Sequence, residues 1–200
     1  MIVITGGIGC GKSAVCRLLS VMGHTVYDCD REAKRIMLTN PELRQQLSNL
    51  FGTDVWLNDG TMNRTLVASR MFGNADLLRQ MNALVHPAVA RDVVAQAESL
   101  KAKTDGQGQR LLFVETAIHF ESGFDHLIHP RQVWCVAAPD EVRIARAMKR
   151  DNATRERILA RIGSQMPQDE KMRRSDAVIL NDDQHSVIGQ VNTLLNQLMQ

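Results

Sequence analysis

Residues 2–13 of the chain read IVITGGIGCGKS. The β-branched, apolar run at residues 2–5 predicts a short buried strand, and the glycines after it predict a tight loop. Residues 6–13 match the pattern G-x-x-x-x-G-K followed by Ser or Thr. In this pattern the glycines let successive backbone N–H groups point inward, and the loop opens onto a helix N-terminus that attracts anions. The segment therefore predicts a loop that binds the phosphates of a nucleotide, a P-loop.

Two side chains of the predicted P-loop carry the chemistry of phosphate binding. We expect Lys12 to reach the β- and γ-phosphates of the nucleotide and the Ser13 hydroxyl to ligate Mg²⁺. Cys10 lies near this lysine at a helix N-terminus, an environment that predicts a reactive thiol. The residues expected to bind the nucleotide through this loop are Gly7, Ile8, Gly9, Cys10, Gly11, Lys12 and Ser13.

Composition and charge limit the class of protein. The 200 residues are 44% hydrophobic, which is enough for one α/β core with an inserted subdomain. The 24 Lys and Arg nearly balance 22 Asp and Glu, so the net charge of +2 offers no general attraction for nucleic acid. The sequence shows no secretion signal and no apolar run approaching about 18 residues, so we expect a cytoplasmic protein without membrane contact. The four cysteines lack metal-site spacing and are expected to be reduced.

The strand signals predict an α/β fold of the P-loop NTPase type. A second strand is predicted at residues 25–28. Continuous apolar runs predict three more strands at residues 111–114, 133–136 and 177–180, as in parallel sheets covered on both faces. The prediction is a five-stranded parallel sheet flanked by helices.

Between the second and third strands, a helical pattern runs from residue 31 to residue 105. The predicted helices cover residues 42–50, 64–71 and 88–100. The last of these follows Pro87, which suits the first turn of a helix. Residues 104–109 are the most loop-like segment of the chain. We therefore expect residues 31–107 to form a helical subdomain inserted into the single domain of residues 1–200.

The motifs after the third strand distinguish kinases from GTPases. The chain lacks the N-K-x-D segment that reads guanine and the D-x-x-G switch that a GTPase carries after its third strand. It has instead Arg143, Arg146 and Arg150, spaced to share one face of a helix that begins near Pro139. A small-molecule kinase needs such cations on a closing lid, to exclude water and balance the charge of the migrating phosphoryl group. A solvated basic face is the alternative, and it fits Arg143 as well as the lid does.

Two aspartates lie at the end of the second predicted strand, which reads Asp28-Cys29-Asp30. Asp28 and Asp30 flank Cys29, so alternation along a strand points both carboxylates to one side at the carboxyl end of the sheet. This position favours a role in orienting and deprotonating the acceptor hydroxyl of a kinase. The alternative is structural, because an aspartate at residue 30 can cap the helix that follows.

These features together resemble one family, the dephospho-CoA kinases, over nearly the whole chain. The P-loop and the Asp28-Cys29-Asp30 triplet are similar to the family's T-G-G-I-G-S-G-K-S loop and D-A-D segment. The other matching positions, in chain order, are Phe51-Gly52, Asp59-Gly60, Arg64, His86-Pro87 before a helix, Phe120-Glu121, Pro139, Arg146, Arg150, Gln165, Asp176 and Asn181. A P-loop alone is common, but this combination in this order is specific to the family.

The resemblance implies ATP-dependent phosphorylation of the 3′-hydroxyl of dephospho-CoA, the last step of coenzyme A synthesis, with Mg²⁺ as cofactor. It implies that Asp30 is the general base and that Lys12 and Arg146 assist catalysis. The insertion would bind the CoA part of the acceptor, and residues 139–174 would form the lid. The residues that it assigns to the acceptor are Asp28, Asp30, Lys34, Arg64, His86 and Glu115, and those that it adds to the nucleotide site are Arg146, Arg150 and Asn181. Glu115 is also expected to contact Mg²⁺ through the ion's water shell.

The sequence departs from the family pattern at four places, the first being Cys10, which replaces a usual serine in the P-loop. Residues 115–121 read ETAIHFE where the family usually has D-V-P-L-L-F-E, so His119 either reaches the acceptor or lies in a solvated loop. Lys34 replaces a usual arginine, and Arg143 replaces a usual glutamine.

Two other functions remain compatible with the same residues. One is another small-molecule or nucleoside-monophosphate kinase with this core, and the other is a non-catalytic regulator that binds nucleotide. The expected partners are ATP and dephospho-CoA, and the chain is expected to be a monomer or a small homo-oligomer.

Overall fold

The computed structural model of the protein describes residues 1–103 and 110–199. The loop predicted at residues 104–109, and with it the predicted end of the insertion, lies outside the described residues. The chain divides into two compact units. The first unit contains residues 1–28 and the chain from Gln96 onward, and the second contains Cys29–Ala95.

A parallel sheet forms the centre of the first unit. Within the described residues its five strands are β1 (Ile2–Thr5), β2 (Thr25–Asp28), β3 (Leu112–Glu115), β4 (Gln132–Ala137) and β5 (Ala177–Leu180). The strand order is β2-β3-β1-β4-β5, and all neighbouring strands are parallel. This confirms the predicted five-stranded parallel sheet. Because β1 lies between β3 and β4, the loop after β1 opens where the winding direction changes, which is where α/β proteins bind ligands.

The helices were predicted less completely than the strands. In chain order they are α1 (Lys12–Val21), α2 (Cys29–Thr39), α3 (Pro41–Phe51), α4 (Arg64–Met71), α5 (Ala75–Lys103), α6 (Asp140–Asp151), α7 (Arg155–Gly163), α8 (Gln168–Arg173) and α9 (Val187–Met199). Short 3-10 helices lie at Thr53–Val55 and Phe124–His126. In the described part of the chain, no helix combines the length and apolar character that a bilayer crossing requires.

Among the described residues of the first unit, two hydrophobic clusters stabilise the fold. The larger one packs α1 and α9 onto the sheet and includes Leu19, Phe113, Trp134 and Leu195. The smaller one is centred on three buried residues of α6 and α7, with partly buried neighbours. We call it the α6–α7 cluster, and it contains Ile144, Ala147 and Ile158 together with Ile8, Met148, Ala153 and Ile162. A residue of the predicted P-loop therefore belongs to a helical core.

Helix caps account for the start of two helices in the second unit. The Asn40 side chain accepts a hydrogen bond from Leu43 N at 3.0 Å, with Pro41 in the first turn of α3. The Asn63 side chain accepts one from Leu66 N at 3.1 Å at the start of α4. The predicted helices at residues 42–50 and 64–71 are therefore confirmed.

The prediction that a helix begins after Pro87 is wrong. His86 and Pro87 both lie inside α5, a continuous helix of 29 residues. A proline in a helix interior removes one backbone hydrogen bond and costs about 3 kcal/mol. Burial of Val85, Ala88 and Val89 on either side of the proline offsets part of that cost.

The strand-alternation argument for Asp28 and Asp30 is also wrong. β2 ends at Asp28, and Cys29 and Asp30 already belong to the first turn of α2. A helix rotates successive side chains by about 100° rather than 180°, so the two carboxylates do not follow strand alternation. Asp30 lies within the helix and not at its N-cap, in a first turn where the helix dipole favours negative charge.

Candidate active site

Glycine is required in the loop between β1 and α1 because backbone and side-chain atoms from distant parts of the chain approach it closely. Gly9 and Gly11 have φ angles of +79° and +93°. A Cβ at Gly9 would lie 2.1 Å from the Arg143 main-chain oxygen, and one at Gly11 would lie 2.1 Å from Asn181 Nδ2. These positions therefore exclude any larger residue on both backbone and steric grounds.

The Lys12 side chain contacts the backbone at the start of this loop. Its ammonium donates hydrogen bonds to the carbonyl oxygens of Gly6 and Gly7, at 3.0 and 3.2 Å. An ammonium is a compact charge with three donors on a flexible stem, so it can exchange these carbonyls for phosphate oxygens without moving the backbone.

Ser13 and Glu115 form a hydroxyl–carboxylate pair at the carboxyl edge of the sheet. The Ser13 hydroxyl donates to Glu115 Oε1 at 2.8 Å. Glu115 ends β3, and Asp28 ends β2 as its register partner. Burial, and to a smaller extent the Glu115 carboxylate, raises the pKa of the Cys16 thiol well above its usual value. Cys16 therefore stays protonated.

The Ser13–Glu115 pair offers few protein ligands, which suits Mg²⁺ bound together with a nucleotide better than a metal ion bound by protein side chains alone. Within residues 1–103 and 110–199, no group of three or more His, Cys, Asp or Glu side chains is placed to hold a metal ion. Mg²⁺ usually keeps several waters and binds one or two protein oxygens together with substrate phosphates. Ser13 and Glu115 supply oxygens of this kind next to the lysine of the loop.

Asn181 links the loop to Arg146 of α6. The Asn181 side chain donates to the Cys10 carbonyl oxygen at 2.9 Å, and the Asn181 main-chain carbonyl oxygen accepts from Arg146 Nη1 at 2.8 Å. Arg146 also pairs with Asp183 at 2.8 Å. Asn181 follows β5, so the end of this strand places an arginine of α6 near the loop.

The other two arginines of α6 behave differently from each other. Arg143 is buried and donates from Nε to the Ile8 carbonyl oxygen at 3.1 Å, while its Nη1 pairs with Asp140 at 2.7 Å. It is therefore not part of a solvated basic face. Arg150 is exposed and donates from Nε and Nη2 to both carboxylate oxygens of Asp151, at 2.7 and 2.9 Å.

The second unit brings two of the predicted acceptor-binding residues together. Lys34 and Arg64 line a pocket of about 90 Å³. The remaining lining residues are Met37, Leu38, Thr61 and Met62. Asp30 is exposed one helical turn before Lys34, on the same face of α2. His86 lies half-buried in α5 and does not line this pocket.

Comparison with known proteins gives the family. A family model for dephospho-CoA kinase matches residues 1–186. A dephospho-CoA kinase of Bacteroides fragilis is 40% identical over 200 residues, covering 98% of this chain and 92% of the relative. The chain belongs to the dephospho-CoA kinase family. As a member of this family it is a kinase.

Solved structures agree with the fold of this dephospho-CoA kinase family member. The crystal structure of TT1252 from Thermus thermophilus superimposes with a TM-score of 0.82 at 31% identity, covering 100% of this chain and 97% of that one. A dephospho-CoA kinase from Campylobacter jejuni gives 0.69 at 22% identity, covering 98% and 96% of the two chains, and supports the fold alone.

The cysteines of this family member are free thiols, as predicted, but the expectation of a reactive Cys10 is wrong. All four cysteines are free and buried, and the Cys10 side chain has no exposed surface. A thiol reacts only when reagent can reach it, so the charge beside Cys10 has no effect on its reactivity in the folded protein.

No sequence pattern predicted the buried ion pair of this family member. The Lys171 side chain is fully buried, and its Nζ lies 2.6 Å from Glu121 Oε1 and donates to the Ala117 carbonyl at 2.5 Å. Glu121 Oε1 also accepts from Met166 N at 3.0 Å. The pair therefore ties the loop after β3 to the start of α8. Glu121 was noticed only through the family pattern, and Lys171 was missed because lysines are normally exposed.

His119 is buried, so the interpretation of this residue as part of a solvated loop is wrong. It is 1% exposed, with its ring centroid 4.9 Å from that of Phe120 and 6.4 Å from that of Phe124. Burial lowers the pKa of His119 to about 4, although the nearby Asp125 carboxylate acts in the opposite direction. In the family member His119 is therefore neutral at pH 7.

Proposed function

We propose that this protein transfers the γ-phosphoryl group of ATP to the 3′-hydroxyl of dephospho-CoA, releasing coenzyme A and ADP. The observation that carries the proposal is the loop after β1, where Lys12 lies beside the Ser13–Glu115 pair in a chain of the dephospho-CoA kinase family. The loop supplies donors for phosphate, and the pair supplies oxygens for Mg²⁺.

The nucleotide end of the reaction follows from the P-loop contacts. Lys12 exchanges the carbonyls of Gly6 and Gly7 for β- and γ-phosphate oxygens. Ser13 and Glu115 would hold Mg²⁺, the hydroxyl as a ligand and the carboxylate as a partner of the ion's water shell. When bound, the ion neutralises charge on the phosphates. Arg146, held by the Asn181 carbonyl, balances the charge of the migrating phosphoryl group.

The acceptor end of the reaction is assigned to α2 and its neighbours. Asp30 takes the proton of the 3′-hydroxyl as the oxygen attacks the γ-phosphorus, and the bond from that phosphorus to the β–γ bridging oxygen breaks. Lys34 and Arg64 bind phosphate oxygens of dephospho-CoA, and the methionines of their pocket contact its apolar parts. Asp28 and His86 are assigned to acceptor positioning on the family pattern.

The two predicted subdomains belong to the same proposal. Residues 31–107 act as the acceptor-binding subdomain, supported by the compact unit Cys29–Ala95 and its cationic pocket. Residues 139–174 act as the lid, supported by the arginines of α6. Arg150 has to leave the Asp151 carboxylate in order to bind the nucleotide.

The test is ADP release from ATP and Mg²⁺ with dephospho-CoA as acceptor. We expect dephospho-CoA to be used far faster than any nucleoside monophosphate. Lys12→Ala should lower kcat by about 10² or more, because such electrostatic contacts are worth several kcal/mol in the transition state. Lys149→Ala is the matched control, since this lysine is exposed on α6 and has no assigned role. Faster transfer to a nucleoside monophosphate would assign the protein to another kinase class, and nucleotide binding without ADP release would make it a regulator.

A further inference from the structure

Ile8, the third residue of the P-loop, is held from outside the loop by both of its backbone polar groups. Its N–H donates to Gln165 Oε1 at 3.1 Å, and its carbonyl oxygen accepts from Arg143 Nε at 3.1 Å. Gln165 lies between α7 and α8, and Arg143 lies in α6. The Ile8 N–H is therefore bound to a side chain from outside the loop.

The side chain of Ile8 is held by the same part of the protein. It packs into the α6–α7 cluster, against residues that include the buried Ile144 and Ile158. Ile8 does not belong to the larger cluster on the sheet. One residue of the loop therefore takes three separate contacts from α6, α7 and the turn that follows α7.

The backbone next to Gln165 is held by its own contacts. Met166, the next residue, donates its N–H to Glu121, and Glu121 pairs with the fully buried Lys171. The backbone next to Gln165 is therefore held by contacts that do not involve the loop, and a side chain on an ordered backbone loses less entropy when it makes a contact.

We propose that Ile8 is a positioning residue, which fixes the loop in its phosphate-binding shape by anchoring it to the α6–α7 cluster. This inference rests on the proposed binding of nucleotide by the P-loop. Nucleotide binding and the order of α7 are then coupled, because each stabilises the conformation of Ile8 that the other requires.

The first experiment compares ADP binding by calorimetry in the wild-type protein and in Ile8→Ala. Loss of the side chain should raise the Kd for ADP about tenfold, which corresponds to about 1.4 kcal/mol. Ile8→Val keeps most of the packing and should restore binding to within about threefold of wild type. Gln165→Met removes the acceptor for the Ile8 N–H at similar length and should weaken binding by about two- to tenfold.

The matched control is Leu198→Ala, which truncates a buried residue of α9 in the larger cluster. It should lower the melting temperature without changing the Kd for ADP. If Leu198→Ala weakens ADP binding as much as Ile8→Ala does, or if Ile8→Ala binds ADP as tightly as wild type, the positioning role is refuted.

The second experiment separates positioning from a purely structural effect by hydrogen exchange with mass spectrometry. ADP should slow amide exchange in Arg155–Gly163 of the wild-type protein, and this protection should be lost in Ile8→Ala at saturating ADP but kept in Leu198→Ala. Equal protection in both variants would overturn the inference. Both experiments use binding and not turnover, so normal ADP binding without transfer to dephospho-CoA refutes the proposed function and leaves the inference standing.

Discussion

Removal of Glu121 should be among the most destabilising changes in the first unit. The Lys171 side chain has no exposed surface, and its charge is met by Glu121 at 2.6 Å and by one carbonyl at 2.5 Å. Glu121→Ala leaves a buried ammonium with that carbonyl alone. Breaking a buried pair from one side costs about 3–5 kcal/mol, and we expect the lower end because the Glu121 side chain is 20% exposed and admits water.

The expected loss of about 3 kcal/mol can be measured by thermal and urea unfolding. For a chain of this length it corresponds to a fall of about 6–12 °C in Tm. Lys171→Met removes the buried charge and fills similar space, so the double variant Glu121→Ala/Lys171→Met should be more stable than Glu121→Ala. Arg155→Ala, which breaks an exposed pair with Glu141, is the control and should cost less than about 1 kcal/mol. A shift below about 2 °C for Glu121→Ala, or a double variant no more stable than the single one, would refute the reasoning.

The remaining predictions concern pH, catalysis and thiol reactivity. Burial lowers the pKa of His119 to about 4, so between pH 6.5 and pH 4 the unfolded chain binds a proton at this residue and the folded protein does not. The free energy of unfolding should therefore fall by about 3 kcal/mol as the pH falls from 6.5 to 4. Urea titrations of His119→Gln should show a weaker dependence of the free energy of unfolding on pH. Asp30→Asn should lower kcat by about 10²–10⁴ with little change in ADP affinity, and near-normal turnover would leave the base unassigned. The Asp28→Asn defect should depend on Mg²⁺ concentration, whereas that of Asp30→Asn should not. A thiol reagent should modify Cys10 and the other three cysteines only after unfolding, and rapid labelling of the native protein would contradict their burial.

Local patterns were sufficient for the sheet and for the chemistry of the loop. The strands were found within one or two residues because continuous apolar runs between turn signals are typical of buried parallel strands. The P-loop was found because its glycines, Lys12 and Ser13 are consecutive in sequence. The strand at residues 25–28 is confirmed, but the alternation argument wrongly extended strand geometry to Asp30, because a strand and the first turn of a helix meet at Cys29 without a turn signal between them.

The contacts that give the site its shape could not be found in this way, because they join residues far apart in the chain. Ile8 meets Arg143 across 135 positions and Gln165 across 157, and no local propensity reports such a meeting. Lys171 looks like an ordinary surface lysine until Glu121 is placed beside it, since a buried charge is tolerated only where a partner compensates for lost hydration. The interior position of Pro87 in α5 has the same cause, because burial around it outweighs the local preference to begin a helix there.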